Sequence, residues 1–405
     1  MATRELKHMA VAEVERHRPR LVELSQRIHS HPELGFQEFK AAEWVAEYLE
    51  REGFRVERGL CGMPTALRAR YGSVEPAIAL IAEYDALPEL GHGCGHNIIA
   101  AAAVGAAVAS KRAVDELGGT VVVLGTPAEE LYGGKAIMVE QGAFAGLNAA
   151  LMVHPGRRNA ATAQTLACVS LDVEFFGREA HAAANPEQGI NALEAMLLSF
   201  NAINSLRQHI RGKARVHGII TDGGKAANVV PRHSAGTFLV RADDQGYLEE
   251  LKAKVLHCFT AAALATGARL EHRWGERVFA CLRSNQVLAG LFAVNLESLG
   301  RKVEPLDLSW GVGSTDMGNV SQVVPAIHPS IAIAPLEVTL HSPEFARAAA
   351  SEQGELGLLD SAKALAMTVV DLLDQPGLLE RVRAEFSNAG AAPLTSSETR
   401  CCGQG

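Results

Sequence analysis

The chain has 405 residues, enough for two domains rather than one. It is 48% hydrophobic and 21% charged, as soluble globular proteins are, with a net charge of −8. That balance, with no basic stretch to track a phosphate backbone, argues against nucleic acid as a partner.

The opening MATRELKHMAVAEVERHRPRL is charged throughout and has no apolar h-region, so no signal peptide is read there. Amphipathic patterning predicts helices over 7–28 and 38–52. Strand-like segments follow at 54–58, 65–72 and 77–84, then a helix over about 98–116. Within it lies the longest apolar run, IIAAAAVGAAVA (98–109), too short to span a bilayer, so no membrane partner is expected. GTVVVLGTP (119–127) is nearly continuous in apolar residues, as a buried parallel strand requires. A helix from about 133 and a strand at 149–154 complete an alternation that predicts an open α/β sheet.

Near 165 the pattern changes. ACVSLDVEFFG (167–177) alternates like a half-buried strand. A long helix at 189–210, strands at 214–224 and 234–244, a helix at 246–266 and a strand at 268–275 follow. The order β-α-β-β-α-β is that of a ferredoxin-like unit. The α/β patterning then returns, and helices close the chain at 358–374 and 376–386. The domain reading is therefore a catalytic domain in two parts, 1–165 and 278–386, interrupted by an inserted domain at 166–277 and followed by a disordered tail at 387–405. Seven cysteines, an odd number with no pairing rhythm, point to reduced thiols and a cytoplasmic setting.

Four polar clusters follow strand ends in the first half: EYDALP (83–88), HGCGHN (92–97), PAEE (127–130) and VHPG (153–156). Ligands of open α/β sheets bind beyond the carboxyl ends of the strands. A carboxylate or imidazole buried there needs a partner or a metal. Cys94 and His96 stand two apart and face one side in extended backbone. Thiolate, imidazole and carboxylate together suit zinc, or a similar first-row ion such as manganese or cobalt. Singly, each cluster has a plain structural reading: a tight turn with a buried thiol, the acidic start of a helix, a loop histidine. Recurrence at successive strand ends of one sheet favours a site. The tripeptides GGK at 133–135 and 223–225 lack the P-loop spacing and carry no expectation. His328 is either a substrate contact or a strand-end residue, and Thr315 with Asp316 either line the pocket or cap a helix. At 5% aromatic content there is no clear stacking platform, and Trp310 is the indole placed to matter.

The motifs HPELGFQE (31–38), EYDALP, GHGCGHN, TPAEE, GREAHAA (177–183), NVVP (228–231) and LHSPEF (340–345) resemble, in order and over roughly 20–385, the amidohydrolases of metallopeptidase family 20. GSTDMGNVS followed by PAIHP (313–329) is most similar to the branch of aminobenzoyl-glutamate hydrolases and basic-dipeptide dipeptidases. The resemblance implies an α/β fold like that of aminoacylase and carboxypeptidase G: an open mixed-sheet catalytic domain with an inserted ferredoxin-like α+β lid that dimerises. It implies one or two divalent ions, zinc or manganese with cobalt a further choice, held by Cys94, His96, Glu130, His154 and His341. Glu129 matches the general base, and Asp85 an aspartate that supports the ligands from behind. His181 and Asn228 match groups that hold the substrate carbonyl and carboxylate, with Arg241 as a carboxylate anchor. Asn97 stands where many relatives have aspartate, so one supporting contact differs.

The activity implied is hydrolysis of the amide bond in a small N-acyl or N-aminoacyl amino acid by a metal-activated water, in a homodimer or higher homo-oligomer. Two other readings stand beside it. One is hydrolytic deamination of an activated aromatic amine of the nitroanthranilate type. The other is an inactive binding protein on the same scaffold, which the intact base and ligand set disfavours.

Overall fold

The computed structural model describes residues 3–130, 132–305, 307 and 313–388. Trp310 and the tail beyond 388, with Cys401 and Cys402, lie outside the described residues. Two compact units emerge: one from the segments before 165 and after 281, the other from Thr165–Cys281 with Gly313 and Ser314.

The first unit opens with α1 (Thr3–Ser30) and α2 (Phe39–Arg51). Next come β1 (Arg55–Arg58), β2 (Leu67–Gly72), β3 (Ala77–Glu83), α3 (His96–Leu117), β4 (Thr120–Thr126), α4 (Gly134–Glu140), β5 (Ala149–Leu151) and β6 (His154–Gly156). The second unit holds β7 (Ala167–Phe176), α5 (Ala192–Leu206), β8 (Arg215–Asp222), β9 (His233–Ala242), α6 (Gln245–Thr266) and β10 (Arg269–Trp274). The chain returns to the first unit with α7 (Gln286–Ser298), α8 (Met317–Val323), β11 (Ala326–Ile327), β12 (Ser330–Ala332), α9 (Pro343–Ala349), α10 (Glu352–Asp374) and α11 (Pro376–Asn388).

The main sheet runs β1-β2-β4-β3-β5-β11. It is mixed: β4, β3, β5 and β11 are parallel, whereas β2 is antiparallel to β4 and β1 to β2. Every residue of β3 and β4 is buried, because helices cover both faces. Ile78, Leu80, Val121 and Val123 point into the core with α1, α3 and α10. Ala79, Ile81, Val122 and Leu124 point into the opposite core with Met138 of α4 and Met317 and Val320 of α8. The two-residue period of the strand thus divides its side chains between two layers. α3 is apolar enough to cross a bilayer by composition, but 89% of its apolar window is buried. Its run of alanines lets neighbouring helices approach closely.

The strand expected at 149–154 divides. β5 pairs with β3 and β11, whereas β6 leaves the main sheet and pairs in parallel with β12, His154 opposite Ser330. His154 therefore stands where the chain peels away from the sheet's carboxyl edge.

The second unit is an antiparallel sheet, β10-β7-β9-β8, with two helices. Val169, Leu171, Phe175, Phe238 and Val240 pack against Met196 of α5 and Leu251, Val255 and Phe259 of α6. α5 starts at Ala192 rather than 189 because Asn191 caps it, its side chain accepting the Glu194 amide at 3.1 Å.

Candidate metal centre

Parallel strands bring their carboxyl ends to one edge of the sheet, and the polar clusters gather there. Asp85 follows β3, Glu129 and Glu130 follow β4, and His154 follows β5. His96 opens α3. Gly95, at φ 78°, turns the chain into that helix, and a Cβ there would meet the ring of Pro155 at 2.6 Å. Close approach at Gly95 sets Cys94 and His96 beside His154.

Three groups of donor atoms each converge within 4.8 Å: Cys94, His96 and His154; Cys94, Glu130 and His341; His96, Glu129 and Glu130. The Cys94 sulfur lies 3.4 Å from His154 Nε2 and 3.3 Å from His341 Nε2. Glu130 Oε1 lies 3.8 Å from His96 Nε2 and 3.6 Å from His341 Nε2. His341 reaches the cluster from a left-handed backbone, φ 57°, with its amide donated to the Gly93 carbonyl at 3.1 Å.

These residues fit a divalent cation. His96 Nδ1 is bonded to Asp85 Oδ1 at 3.1 Å and His154 Nδ1 to the Pro155 carbonyl at 2.7 Å. With a proton on each Nδ1, both Nε2 lone pairs face the cluster. His96 Nε2 and Glu130 Oε1 are buried without a hydrogen-bond partner, as ligand atoms would be before an ion arrives. Burial, with His328 and His96 nearby, lowers His154 to about 3, so its ring is neutral. Burial and the Glu130 carboxylate push the Cys94 thiol up.

Asp85 supports two members at once. Its second oxygen accepts the Glu130 amide at 3.0 Å. Burial opposes its ionisation, yet His96 and the Glu130 amide hold it below the usual carboxylate range. Glu129 behaves oppositely: burial, then Glu83, Asp316 and Glu130, raise its proton affinity well above that of an ordinary glutamate.

Asn97 does not face the donors. Its amide donates to Ser25 Oγ at 2.8 Å and the Ala349 carbonyl at 3.1 Å, bracing α1 and the end of α9. His328 is buried, its ring 5.3 Å from that of His154, and burial lowers it to about 4. The Thr315 hydroxyl accepts the Met317 amide at 3.2 Å, a contact at the start of α8.

His181, Asn228 and Arg241 belong to the second unit. His181 pairs with Val229, and Ala182 donates to the Asn228 carbonyl at 3.0 Å, so His181 and Asn228 are neighbours there. Both are exposed, and His181 Nδ1 accepts the Ala183 and Ala184 amides at 3.2 and 3.1 Å. Arg241 donates to Ser314 Oγ at 2.9 Å, and its Nε is buried without a partner.

Sequence reasoning passed over Glu38 and Lys135. Glu38 Oε1 accepts the Ala128 amide at 2.8 Å, one residue before the acid pair. Lys135 lies fully buried between Glu83 and Asp316. A cation in the first turn of a helix opposes the helix dipole, and that local conflict was the available signal. The structure also supplies an aromatic surface the composition did not suggest. Phe36 and the half-exposed Tyr132 stack at 5.1 Å, two residues beyond Glu130.

Residues 79–345 match Peptidase family M20/M25/M40. The chain is 39% identical over 398 residues to a Mus musculus Xaa-Arg dipeptidase, covering 94% of this chain and 92% of the relative. It is 31% identical over 449 residues to a p-aminobenzoyl-glutamate hydrolase polypeptide of Escherichia coli, covering 92% and 93%. Among solved structures, the fold is similar to that of a dinuclear metal-binding M20 peptidase from Bacillus subtilis, with TM-score 0.70, 20% identity and coverage of 89% and 99%.

The charges dictate two outcomes. Cation binding must expel the Cys94 proton, and against the effect of burial Cys94 and Asp85 raise the proton affinity of His96 as well, so affinity for Zn²⁺ or Co²⁺ rises at least about tenfold per pH unit near neutrality. Competition with a chromophoric chelator at pH 6 and 7 measures this, and a pH-independent affinity would contradict it. Burial raises Glu38 from the usual 4.5 to about 7. The folded state therefore binds this proton more tightly, a stabilisation complete below about pH 4.5 and lost as pH rises through about 7. Replacing Glu38 with Gln removes the dependence, so the variant gains on the parent by about 2–3 kcal/mol between pH 5 and 8 in urea unfolding.

Proposed function

The chain belongs to peptidase family M20/M25/M40 and is a metal-dependent hydrolase, and we propose that it cleaves the amide bond of small N-aminoacyl or N-acyl amino acids, basic dipeptides first among them. The observation that carries this reading is the convergence of five potential ligands beside a buried glutamate at the carboxyl edge of the sheet. The identities of the relatives support the substrate class: an Xaa-Arg dipeptidase and an aminobenzoyl-glutamate hydrolase.

Cys94, His96, Glu130, His154 and His341 would hold the cation. When bound, a divalent ion acts as a Lewis acid that acidifies water and polarises a carbonyl oxygen. Glu129 is the base. Its buried carboxylate takes a proton from the attacking water as the new C–O bond forms, then delivers it to the departing nitrogen as the C–N bond breaks. Its high proton affinity suits the second half of that transfer, and the charge of a cation nearby would favour the ionised form needed for the first. Asp85 keeps the His96 ring and the Glu130 backbone in register. His328 forms a wall beside His154, while His181, Asn228, Arg241 and Thr315 are the substrate-holding groups of this proposal. The cation is zinc or manganese, and a site built on a buried thiol suits the cytoplasm.

We read the second unit as a ferredoxin-like lid and dimerisation element, a reading that its element order supports. β8 is an edge strand with Ile219 65% and Ile220 37% exposed. Leu197 and Leu198 of α5 are each 40% exposed. An unpaired edge bearing apolar residues suits two-fold pairing of copies. Sedimentation checks it: the parent runs as a dimer and Ile219→Arg as a monomer, while an unchanged dimer would reject this surface.

Turnover of a panel tests the activity: basic dipeptides, aminobenzoyl-glutamate, hippurate, auxin conjugates and a nitroanthranilate. Amino acid release is expected, and Glu129→Gln lowers kcat by about 10²–10⁴ while cation stoichiometry holds. Ammonia released from the nitroanthranilate would instead establish the deaminase. Full activity in Glu129→Gln would remove Glu129 as the base.

A further inference from the structure

The loop between β4 and α4 presents Glu129 and Glu130, and its far end is closed by a buried cation. Gly134 approaches Pro127 so closely that a Cβ at 134 would overlap the Pro127 carbonyl. The Ala128 carbonyl accepts the amides of Tyr132, Gly133 and Gly134. Three amides just before Lys135 thus converge on one carbonyl beside Glu129. The Lys135 backbone amide donates to Asp316 Oδ2 at 2.8 Å, and its Nζ to Asp316 Oδ1 at 2.6 Å. The same Nζ is ion-paired with Glu83 at the end of β3. Lys135, Glu83 and Asp316 are all 0% exposed. Glu83 Oε2 in turn lies 3.6 Å from His96 Nε2.

We propose that Lys135 is a positioning residue: by hydrogen-bonding Asp316 through its amide and its Nζ and ion-pairing with Glu83 Oε1, it holds the loop of Glu129 and Glu130 at a fixed place relative to β3 and α8, and anchors one oxygen of the Glu83 carboxylate while the other lies 3.6 Å from His96 Nε2. A lysine two residues into a seven-residue helix has no local reason to be there. A buried ammonium is costly unless paired and hydrogen-bonded, and here it has both partners. Without it, Glu83 would be a buried carboxylate 3.6 Å from a ligand nitrogen with no cation of its own, free to enter the ligand set. Of the two bonds that tie the loop to Asp316, only the one from the backbone amide would remain. Lys135 touches neither substrate nor reacting atoms; it acts through Glu83, Asp316 and the loop. The premise is Glu129 as base and Glu130 as ligand.

The test uses the full chain loaded with Co²⁺, in Lys135→Met, in Lys135→Met/Glu83→Gln, and in Asp316→Asn, which keeps an acceptor for Lys135. Far-UV circular dichroism reports folding, Co²⁺ absorption reports the ligand set, and kcat and KM are measured on a basic dipeptide. In Lys135→Met, kcat falls about 10²-fold with KM within about threefold, and the Co²⁺ spectrum changes. In the double variant the net buried charge is that of the parent again; the spectrum returns toward that of the parent, but kcat stays at least about tenfold low because the ammonium's bond to Asp316 is still missing. Asp316→Asn folds and loses about tenfold in kcat. A double variant with kcat within threefold of the parent would reduce Lys135 to a counter-charge and overturn the proposal. So would a parental spectrum and kcat in Lys135→Met. Should Lys135→Met and the double variant both fail to fold, Asp316→Asn decides: parental kcat rejects the positioning role. Failure of the base assignment is separable, since it shows as activity in Glu129→Gln whatever the Lys135 variants do.

Discussion

Three buried carboxylates seize the backbone of one short loop, and the site depends on that grip. Glu38 takes the Ala128 amide, Asp85 the Glu130 amide and Asp316 the Lys135 amide. They come from the start of α2, the end of β3 and the start of α8. Ala128 adopts φ 60°, a conformation that costs an alanine energy and persists only where the surroundings over-determine it. With its carbonyl accepting several amides and its own amide held by Glu38, Ala128 has such surroundings. These bonds hold the backbone on the near side of Glu129 and at Glu130 itself.

The same architecture creates an electrostatic problem. Glu83, Asp85, Asp316 and Glu129 are all buried within one small volume. Lys135 offsets part of that charge, raised by Asp316 and Glu83 against the opposing effect of its own burial. The remainder is what a divalent cation would offset, and burial raises the proton affinities of Glu129 and the Cys94 thiol in the same place. Charge, cation and local geometry are therefore coupled: a change at Lys135 or Glu38 reaches the donors without touching them.

The second unit follows ordinary rules by comparison. Its central strands β7 and β9 alternate, its helices carry side-chain caps, and its apolar residues form one core. That is why its element order was readable from periodicity alone. The first unit was readable where its strands are uniformly buried and its helices long. It was less so at the break between β5 and β6, because AALMVH is continuous in hydrophobicity and nothing local says that the chain changes sheets at Val153.

The sequence by itself determined the alternation of strands and helices, the change of pattern near 165, and the residue types at each strand end. These are local properties, written in periods of two and 3.6 residues and in the chemistry of single side chains. It also made Cys94, His96, Glu129 and Glu130 candidates, since thiol, imidazole and carboxylate at strand ends have few other uses. Tertiary structure alone decided which of these groups meet. His341 reaches Cys94 across 247 residues, and Lys135 reaches Asp316 across 181. It also turned Asn97 toward Ser25 and Ala349. Such pairings follow from sheet register and helix packing over the whole unit, and a lysine that looks misplaced in its helix acquires its partners only when distant segments close around it.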